Sequence, residues 1–157
     1  MSSPEQKLAE LGFTLPEPIA PVANYVNYVR SSNMLFISGQ ISKIGGEHIK
    51  GHLGKDLTVE RGQDAARLSA LNLIAQMKDA CDGDLSRVIR IVKLGGFVQC
   101  MPTATGADIP KIINGCSDMF VEVFGDAGRH ARAAVSAPSL PLDVAVEIDA
   151  VVEISAN

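Results

Sequence analysis

Two residues in the last third of the sequence, Arg132 and Glu147, have types and a spacing that suit carboxylate binding and proton transfer. Arg132 begins a short apolar run, and Glu147 follows fifteen residues later inside a second one. A guanidinium binds a carboxylate through two parallel hydrogen bonds in a fixed plane, and a carboxylate can orient a water molecule and move protons. The alternative is structural: Arg132 pairs with Glu147, Asp149 or another acid across the sheet, and Glu147 is a solvent-face residue of an alternating strand.

Other patterns with known chemistry are weak. The glycines between residues 39 and 54 form neither of the common phosphate-binding patterns. His48 and His52 are four residues apart, but glycines surround them and no third ligand is evident. We interpret both as solvated turn residues, and the three widely spaced cysteines as small buried residues. We therefore expect neither a metal nor a cofactor.

Three helices that would position these residues are predicted from caps and apolar periodicity. The first covers Ser3 to Leu11, with Ser3 as its N-cap. The second follows Thr58 as N-cap and ends before Gly83. The third begins near Asp108, and its apolar face consists of Ile112, Ile113, Cys116, Met119, Phe120 and Val123.

Six segments are predicted as strands. The first two form a hairpin with a short polar turn, and the pair Gly95 and Gly96 indicates a bulge or a close backbone approach in the fourth. In the last strand, apolar residues alternate with Glu147, Asp149 and Glu153. The segments are Tyr25 to Arg30, Met34 to Ser38, a short strand near Ile49, Val88 to Cys100, Arg132 to Ala137 and Ala145 to Ile154.

This order of elements predicts a single-domain α/β (α+β) fold, a mixed β-sheet with two helices on one face. The two crossover helices allow one parallel strand pair, and the remaining pairs can be antiparallel. Charged residues make up only 20% of the chain, against a usual share of about 25%. The surface is therefore short of charge, and we expect a partner subunit to cover the sheet face that the helices leave open.

Composition also narrows the function classes. The formal net charge is −4 and Trp is absent, which weighs against a basic, aromatic nucleic-acid surface. The longest apolar runs are far shorter than the ~18 residues of a membrane span. No basic region followed by an apolar run marks a secretory signal. With an odd, sparse set of cysteines, these features predict a cytoplasmic protein with no membrane partner, for which a nucleic-acid partner is not expected.

Several segments taken together resemble the RidA/YjgF family of enamine/imine deaminases, whose older names are endoribonuclease L-PSP and translation inhibitor. Arg132, the pair Leu140-Pro141 and Glu147 fall at the family's spacing with no gap. The run from Met34 to Ile41 matches the family's strand that ends in Ser-Gly-Gln. The resemblance covers nearly the whole chain from about Pro21 onward.

The resemblance implies a fold like that of the small trimeric chorismate mutases, with three pockets at the subunit interfaces of a homotrimer. It implies hydrolysis of small 2-imino or enamino acids to 2-oxo acids and ammonia without a cofactor. Residues 21–157 would form this domain, and residues 1–20 an N-terminal helix and proline-rich extension. Arg132 would bind the substrate carboxylate and Glu147 would orient water. The other substrate-binding residues implied are Tyr25, Ser38, Gly39, Asn114 and Ala134.

Two other functions stay open: a non-catalytic trimeric binder or sensor of small carboxylate metabolites, and the ribonuclease of the older family name. The chain also departs from the family pattern. Ala134 stands where the deaminases often have Cys, and Arg129 and His130 bring extra positive or titratable groups close to the expected pocket. With its added N-terminal helix, the chain is typical of a longer branch of the family.

Overall fold

A computed structural model describes residues 2–18 and 20–156. In these residues three α-helices pack with a mixed five-stranded sheet, which confirms the predicted fold class. The helices are α1 (Pro4–Glu10), α2 (Val59–Ala80) and α3 (Asp108–Phe124). The strands are β1 (Tyr28–Ser31), β2 (Met34–Ile41), β3 (Lys43–Ile44), β4 (Glu47–His48), β5 (Val88–Gln99), β6 (Ala131–Ala137) and β7 (Val146–Ile154).

The strand order of the main sheet is β1-β2-β7-β5-β6, so β6 is an edge strand. The pair β5–β6 is parallel and the other pairs are antiparallel, as expected when helix α3 makes the crossover between β5 and β6. Helix α2 packs against β2 and β7, and α3 packs against β5 and β6. Both helices lie on one face of the sheet, as predicted, while β3 and β4 form a separate small hairpin.

The helix starts follow the capping signals in the sequence. Ser3 and Gln6 form a reciprocal capping box at α1. At α2, the Thr58 hydroxyl accepts a hydrogen bond from the backbone N–H of Arg61 at 3.1 Å. The alternation predicted for β7 is also confirmed, because every second residue from Val146 to Ile154 is buried against the helices.

Two predictions about the strands need correction, and a third is confirmed. The first hairpin begins at Tyr28 rather than Tyr25. Strand β5 runs without a break through Gly95 and Gly96, and its register shifts lie earlier, before Lys93. These two glycines instead make room for side chains, those of Asp149 and Ile113. The short strand predicted near Ile49 is confirmed as β4, which ends one residue before Ile49 and pairs with β3.

The second face of the sheet carries exposed apolar side chains on four different strands. Val29, Phe36, Phe97 and Val135 all lie there, on β1, β2, β5 and β6, and each is at least one-third exposed in the single chain. Isolated exposed apolar residues are ordinary, but several on one sheet face are typical of a surface that another chain covers. We refer to this surface as the open face.

The two long helices, α2 and α3, pack closely at Gly62 and Gly115, and this contact leads to a prediction. A Cβ at Gly115 of α3 would collide with the backbone carbonyl of Gln63 in α2. We expect Gly115→Ala to lower the free energy of unfolding by about 1–3 kcal/mol because the helices must separate. Urea denaturation at fixed protein concentration measures this change.

The matched control is Gly106→Ala, because nothing lies within 4 Å of a Cβ built there. We expect this variant to stay within about 0.5 kcal/mol of the parent. Where a glycine inside a helix has free space around it, replacement by alanine raises the free energy of unfolding by roughly 0.5–1 kcal/mol. Stabilisation by Gly115→Ala would therefore contradict the close helix contact.

Candidate functional site

Arg132 lies on edge strand β6 and points to the helix-covered face of the sheet. It pairs in register with Leu94 of β5, which is fully buried beneath the helices. Its Nη1 donates a hydrogen bond to Ser117 Oγ at 3.0 Å, and its Nη2 donates to the Pro110 carbonyl oxygen at 3.3 Å. Both acceptors belong to α3, so the helix holds the guanidinium from one side.

No carboxylate pairs with this guanidinium among residues 2–18 and 20–156, where the six ion pairs all involve other residues. The structural pairing of Arg132 with Glu147 or Asp149 is therefore not formed. Most of the N–H donors of an arginine remain after two hydrogen bonds to neutral oxygens. They suffice for a carboxylate bound through two parallel bonds.

Asn114 and Ala134 lie beside Arg132. Asn114 follows Pro110 by four residues and precedes Ser117 by three on α3, a spacing that places all three on one helix face. Ala134 follows Arg132 by two residues on β6, pairs with Gly96 and packs against the core from the same sheet face. Three of the predicted site residues, Asn114, Arg132 and Ala134, thus form one group, which we call the arginine group.

Glu147 lies on the open face, opposite to Arg132. It pairs with Phe97 of β5, an exposed open-face residue, and is itself half-buried. The carboxylate lies against Gly39 of β2, where any Cβ would collide with it. Burial raises the pKa of Glu147 above its usual range, and the negative charge of Asp149 on the same strand raises it further.

Ser38 and Gly39 connect Glu147 to the segment that precedes β1. The Ser38 backbone N–H donates to the Asn27 carbonyl at 2.8 Å, and its hydroxyl donates to the Val26 carbonyl at 2.7 Å. Tyr25 directly precedes this segment and is 52% exposed. We call Tyr25, Ser38, Gly39 and Glu147 the glutamate group. Gly39 lies against Glu147, and Ser38 is hydrogen-bonded to the segment that follows Tyr25.

The arginine group and the glutamate group lie apart within one chain. Strand β5 separates β6 from β7, so the backbones of Arg132 and Glu147 are about 10 Å apart across the sheet alone. Their side chains also project from opposite faces. The structure therefore places Asn114 and Ala134 beside Arg132, and Gly39 beside Glu147. Within a single chain it does not bring the two groups to one small ligand.

Sequence reasoning missed Ser117, which holds the guanidinium of Arg132. Its position three residues after Asn114 on a predicted helix was the available signal, but a serine on a helix surface has many ordinary explanations. Tyr28, the other tyrosine of the chain, has a structural contact instead. Tyr28 donates from its hydroxyl to Asp79 of α2 at 2.7 Å, and burial together with this carboxylate raises its pKa to about 12.

The interpretation of the two histidines as solvated turn residues is wrong. His48 lies on strand β4 with its Nε2 buried, and His52 takes part in a hydrogen-bond network. Its Nδ1 lies 3.2 Å from Nε2 of Gln99, and its Nε2 lies 3.3 Å from the Pro138 carbonyl oxygen. Gln99 also bonds Asp143 at 2.8 Å and Leu140 at 2.7 Å. The buried glutamine thus holds His52 and the loop between β6 and β7 together, a structural role.

Among residues 2–18 and 20–156, no three metal-ligating side chains lie together in one place. No helix in this part of the chain is long and apolar enough to cross a membrane.

Comparison with known proteins agrees with the fold. Residues 5–154 match the protein family described as "YjgF/chorismate mutase-like, putative endoribonuclease". The match covers nearly the whole chain and includes α1. The chain therefore belongs to the YjgF/chorismate mutase-like family, as the resemblance in its sequence predicted.

Three relatives illustrate the range of similarity. Protein TCP17 of Trypanosoma cruzi is 48% identical over 151 residues, which cover 94% of this chain and 92% of that protein. A crystal structure from Shewanella oneidensis, described as "a putative endoribonuclease", is 38% identical with a TM-score of 0.91, covering 98% of this chain and 100% of that one. Escherichia coli TdcF with bound serine is 29% identical with a TM-score of 0.59, covering 90% and 94% of the two chains.

The electrostatics of the open face generate a second prediction. Replacing Asp149 by Asn removes a negative charge near Glu147, so ionisation of Glu147 becomes less costly and its pKa falls toward the usual range. Carbon-13 NMR titration of the Glu147 side-chain carboxyl measures the change.

The control variant is Glu153→Gln, which removes a like charge from the same strand and face at a greater separation. We expect the pKa of Glu147 to respond less to this change than to Asp149→Asn. An unchanged or higher Glu147 pKa in the Asp149→Asn variant would contradict the coupling of the two carboxylates.

Proposed function

We propose that this protein hydrolyses small 2-imino or enamino acids to 2-oxo acids and ammonia. The observation that carries the proposal is Arg132: a half-buried guanidinium that is hydrogen-bonded only to neutral oxygens, with donors left for a carboxylate. In the reaction, water adds to the carbon of the C=N bond. The C–N bond then breaks, the nitrogen leaves as ammonia, and the water oxygen remains as the 2-oxo group.

Glu147 is proposed to orient the attacking water and to move its proton to the leaving nitrogen. Its raised pKa supports this role, because a general acid–base group works best when its pKa approaches the operating pH. An iminium carbon is already electrophilic, so positioning and one proton-transfer group suffice. These steps require no metal and no cofactor.

We infer that each substrate pocket lies between two subunits of a homotrimer. The arginine group of one chain and the glutamate group of its neighbour would then face the same substrate. Two observations support this arrangement: the two groups lie on opposite sheet faces, and the open face carries exposed apolar side chains beside Glu147. In this pocket Asn114 and Ala134 would line the carboxylate end, and Tyr25, Ser38 and Gly39 the end where the C=N bond lies.

One alternative has a specific observation in its favour. TdcF, a family relative, was crystallised with serine bound, and serine carries an α-carboxylate like the proposed substrates. A trimer that holds such a metabolite without turnover would use Arg132 in the same way and would leave Glu147 without a chemical role. The endoribonuclease in the family description is less consistent with the net charge of −4.

The test is an imine-consumption assay. 2-Iminopropanoate is generated in place by an amino-acid oxidase acting on alanine, and the imine that remains is trapped by a nucleophile. We expect Arg132→Ala to lower kcat/KM by about 100-fold or more, because charge-assisted hydrogen bonds to the carboxylate are lost. We expect Glu147→Gln to lower kcat by about 100-fold or more, because proton transfer is lost.

Arg129→Ala is the matched control for the arginine. Arg129 lies three residues from Arg132 but is largely exposed and bonds Asp126 at 3.4 Å, so its loss should leave kcat/KM within about twofold. Imine loss no faster with the wild-type protein than in buffer would overturn the deaminase proposal. Binding of a 2-oxo acid without turnover would then favour the carboxylate binder.

A further inference from the structure

A chain of hydrogen bonds runs from Arg132 into the protein through Ser117 and His130. Arg132 Nη1 lies 3.0 Å from Ser117 Oγ, and the same oxygen lies 2.9 Å from His130 Nε2. His130 Nδ1 lies 2.6 Å from the carbonyl oxygen of Gly128. The ring is half-buried and packs against Phe120 in a T-shaped arrangement, with ring centroids 6.1 Å apart.

The chemistry of the end groups fixes the direction of every bond in this chain. A carbonyl oxygen can only accept, so His130 Nδ1 donates to Gly128. In the neutral ring, Nε2 is then an acceptor, and the Ser117 hydroxyl donates to it. Because an arginine can only donate, Ser117 Oγ must accept from Arg132. Each of the three bonds in this chain therefore joins a donor to an acceptor when His130 is neutral and carries its proton on Nδ1.

Protonation of His130 is incompatible with these hydrogen-bond directions. Nε2 would gain a hydrogen, so His130 and Arg132 would both donate to Ser117 Oγ, and the Ser117 hydrogen would lose its acceptor. Two cations would also face each other across one oxygen atom. In agreement, burial lowers the pKa of His130, and the positive charge of Arg132 lowers it further, against the opposing hydrogen bond to Gly128.

The other groups packed around the ring do not change this balance. Helix α3 presents the Ser117 hydroxyl and the Phe120 ring, which do not titrate near neutral pH. The turn before β6 presents the Gly128 carbonyl, and its acid, Asp126, bonds the exposed Arg129. Arg132 on β6 is the charged group that faces the imidazole.

We propose that Ser117 and His130 are positioning residues for Arg132, and that protonation of His130 weakens the binding of small 2-oxo and 2-imino carboxylates. This proposal rests on the proposed function, since it assigns a regulator to the same arginine. The neutral ring fixes the Ser117 hydrogen, and the serine lone pair then holds one edge of the guanidinium. The remaining edge stays oriented toward the ligand.

The probe for the test is pyruvate, whose carboxylate stays ionised above about pH 5. Its dissociation constant is measured by calorimetry between about pH 5 and pH 8. We expect wild-type affinity to fall as the pH drops through the lowered pKa of His130. The variant His130→Gln keeps an acceptor but cannot titrate, so its affinity should not show this fall.

Two pairs of variants separate positioning from general structural damage. At neutral pH, Ser117→Ala should weaken pyruvate binding by about tenfold because a hydrogen bond to a charged group is lost, while Ser117→Thr retains the hydroxyl and should restore it. Likewise, His130→Phe keeps an aromatic ring without an acceptor and should bind more weakly than His130→Gln.

Three results would overturn the proposal. The first is equal affinity in Ser117→Ala and wild type. The second is an acid-side fall that persists in His130→Gln, which would assign the titration to another group such as Glu147. The third is tighter binding on acidification, which would make His130 a second cation for the ligand. Nitrogen-15 NMR of the imidazole reports its tautomer and pKa without any ligand. Failure of pyruvate to bind would therefore overturn the proposed function, while the NMR measurement would still test the Nδ1–H tautomer of His130.

Discussion

The parallel pairing of β6 with β5 decides where the arginine of this protein can act. It sets Arg132 opposite Leu94, and Leu94 is buried beneath the helices. A shift of this pairing by one residue would turn the arginine to the other face of the sheet. In the observed register the guanidinium meets Ser117 and Pro110 on α3, where it is held by neutral acceptors.

The same register separates the two kinds of chemistry in the chain. Glu147 belongs to the open-face set of β7, and two glycines on the flanking strands leave space for carboxylates there. Gly39 accommodates the side chain of Glu147, and Gly95 accommodates that of Asp149. Bulkier residues at either position would push a carboxylate away from the sheet. One face thus carries a positioned cation, and the other carries two acids among exposed apolar side chains. In the proposed trimer, these two faces of neighbouring chains would meet at the pocket.

Much of the fold could be predicted because the signals were local. The caps at Ser3 and Thr58 and the alternation along β7 each depend on a few neighbouring residues, and the structure confirms them. The partners of buried polar groups could not be predicted in this way. The environment of His52 depends on Gln99 and on a loop more than eighty residues away, and no local pattern records such contacts.

The candidate site shows the same division. Arg132, Glu147 and their neighbours were found through a motif, but their placement on opposite faces follows from strand order, in which β5 lies between β6 and β7. Sequence spacing carries no information on this order. His130 stood out in the sequence as a titratable group near Arg132, but its link to Arg132 through Ser117 depends on the packing of α3 on β6.

The central claim is that Arg132 of one subunit and Glu147 of its neighbour share a substrate, and mixed trimers test it directly. Arg132→Ala and Glu147→Gln chains are co-expressed with different affinity tags, and trimers that contain both chains are isolated and counted by native mass spectrometry. In a cyclic trimer, either mixed composition contains a single intact pocket, so the account predicts about one-third of wild-type imine hydrolysis. Activity no higher than that of the two single-variant proteins would place both residues in one chain's pocket and contradict the account.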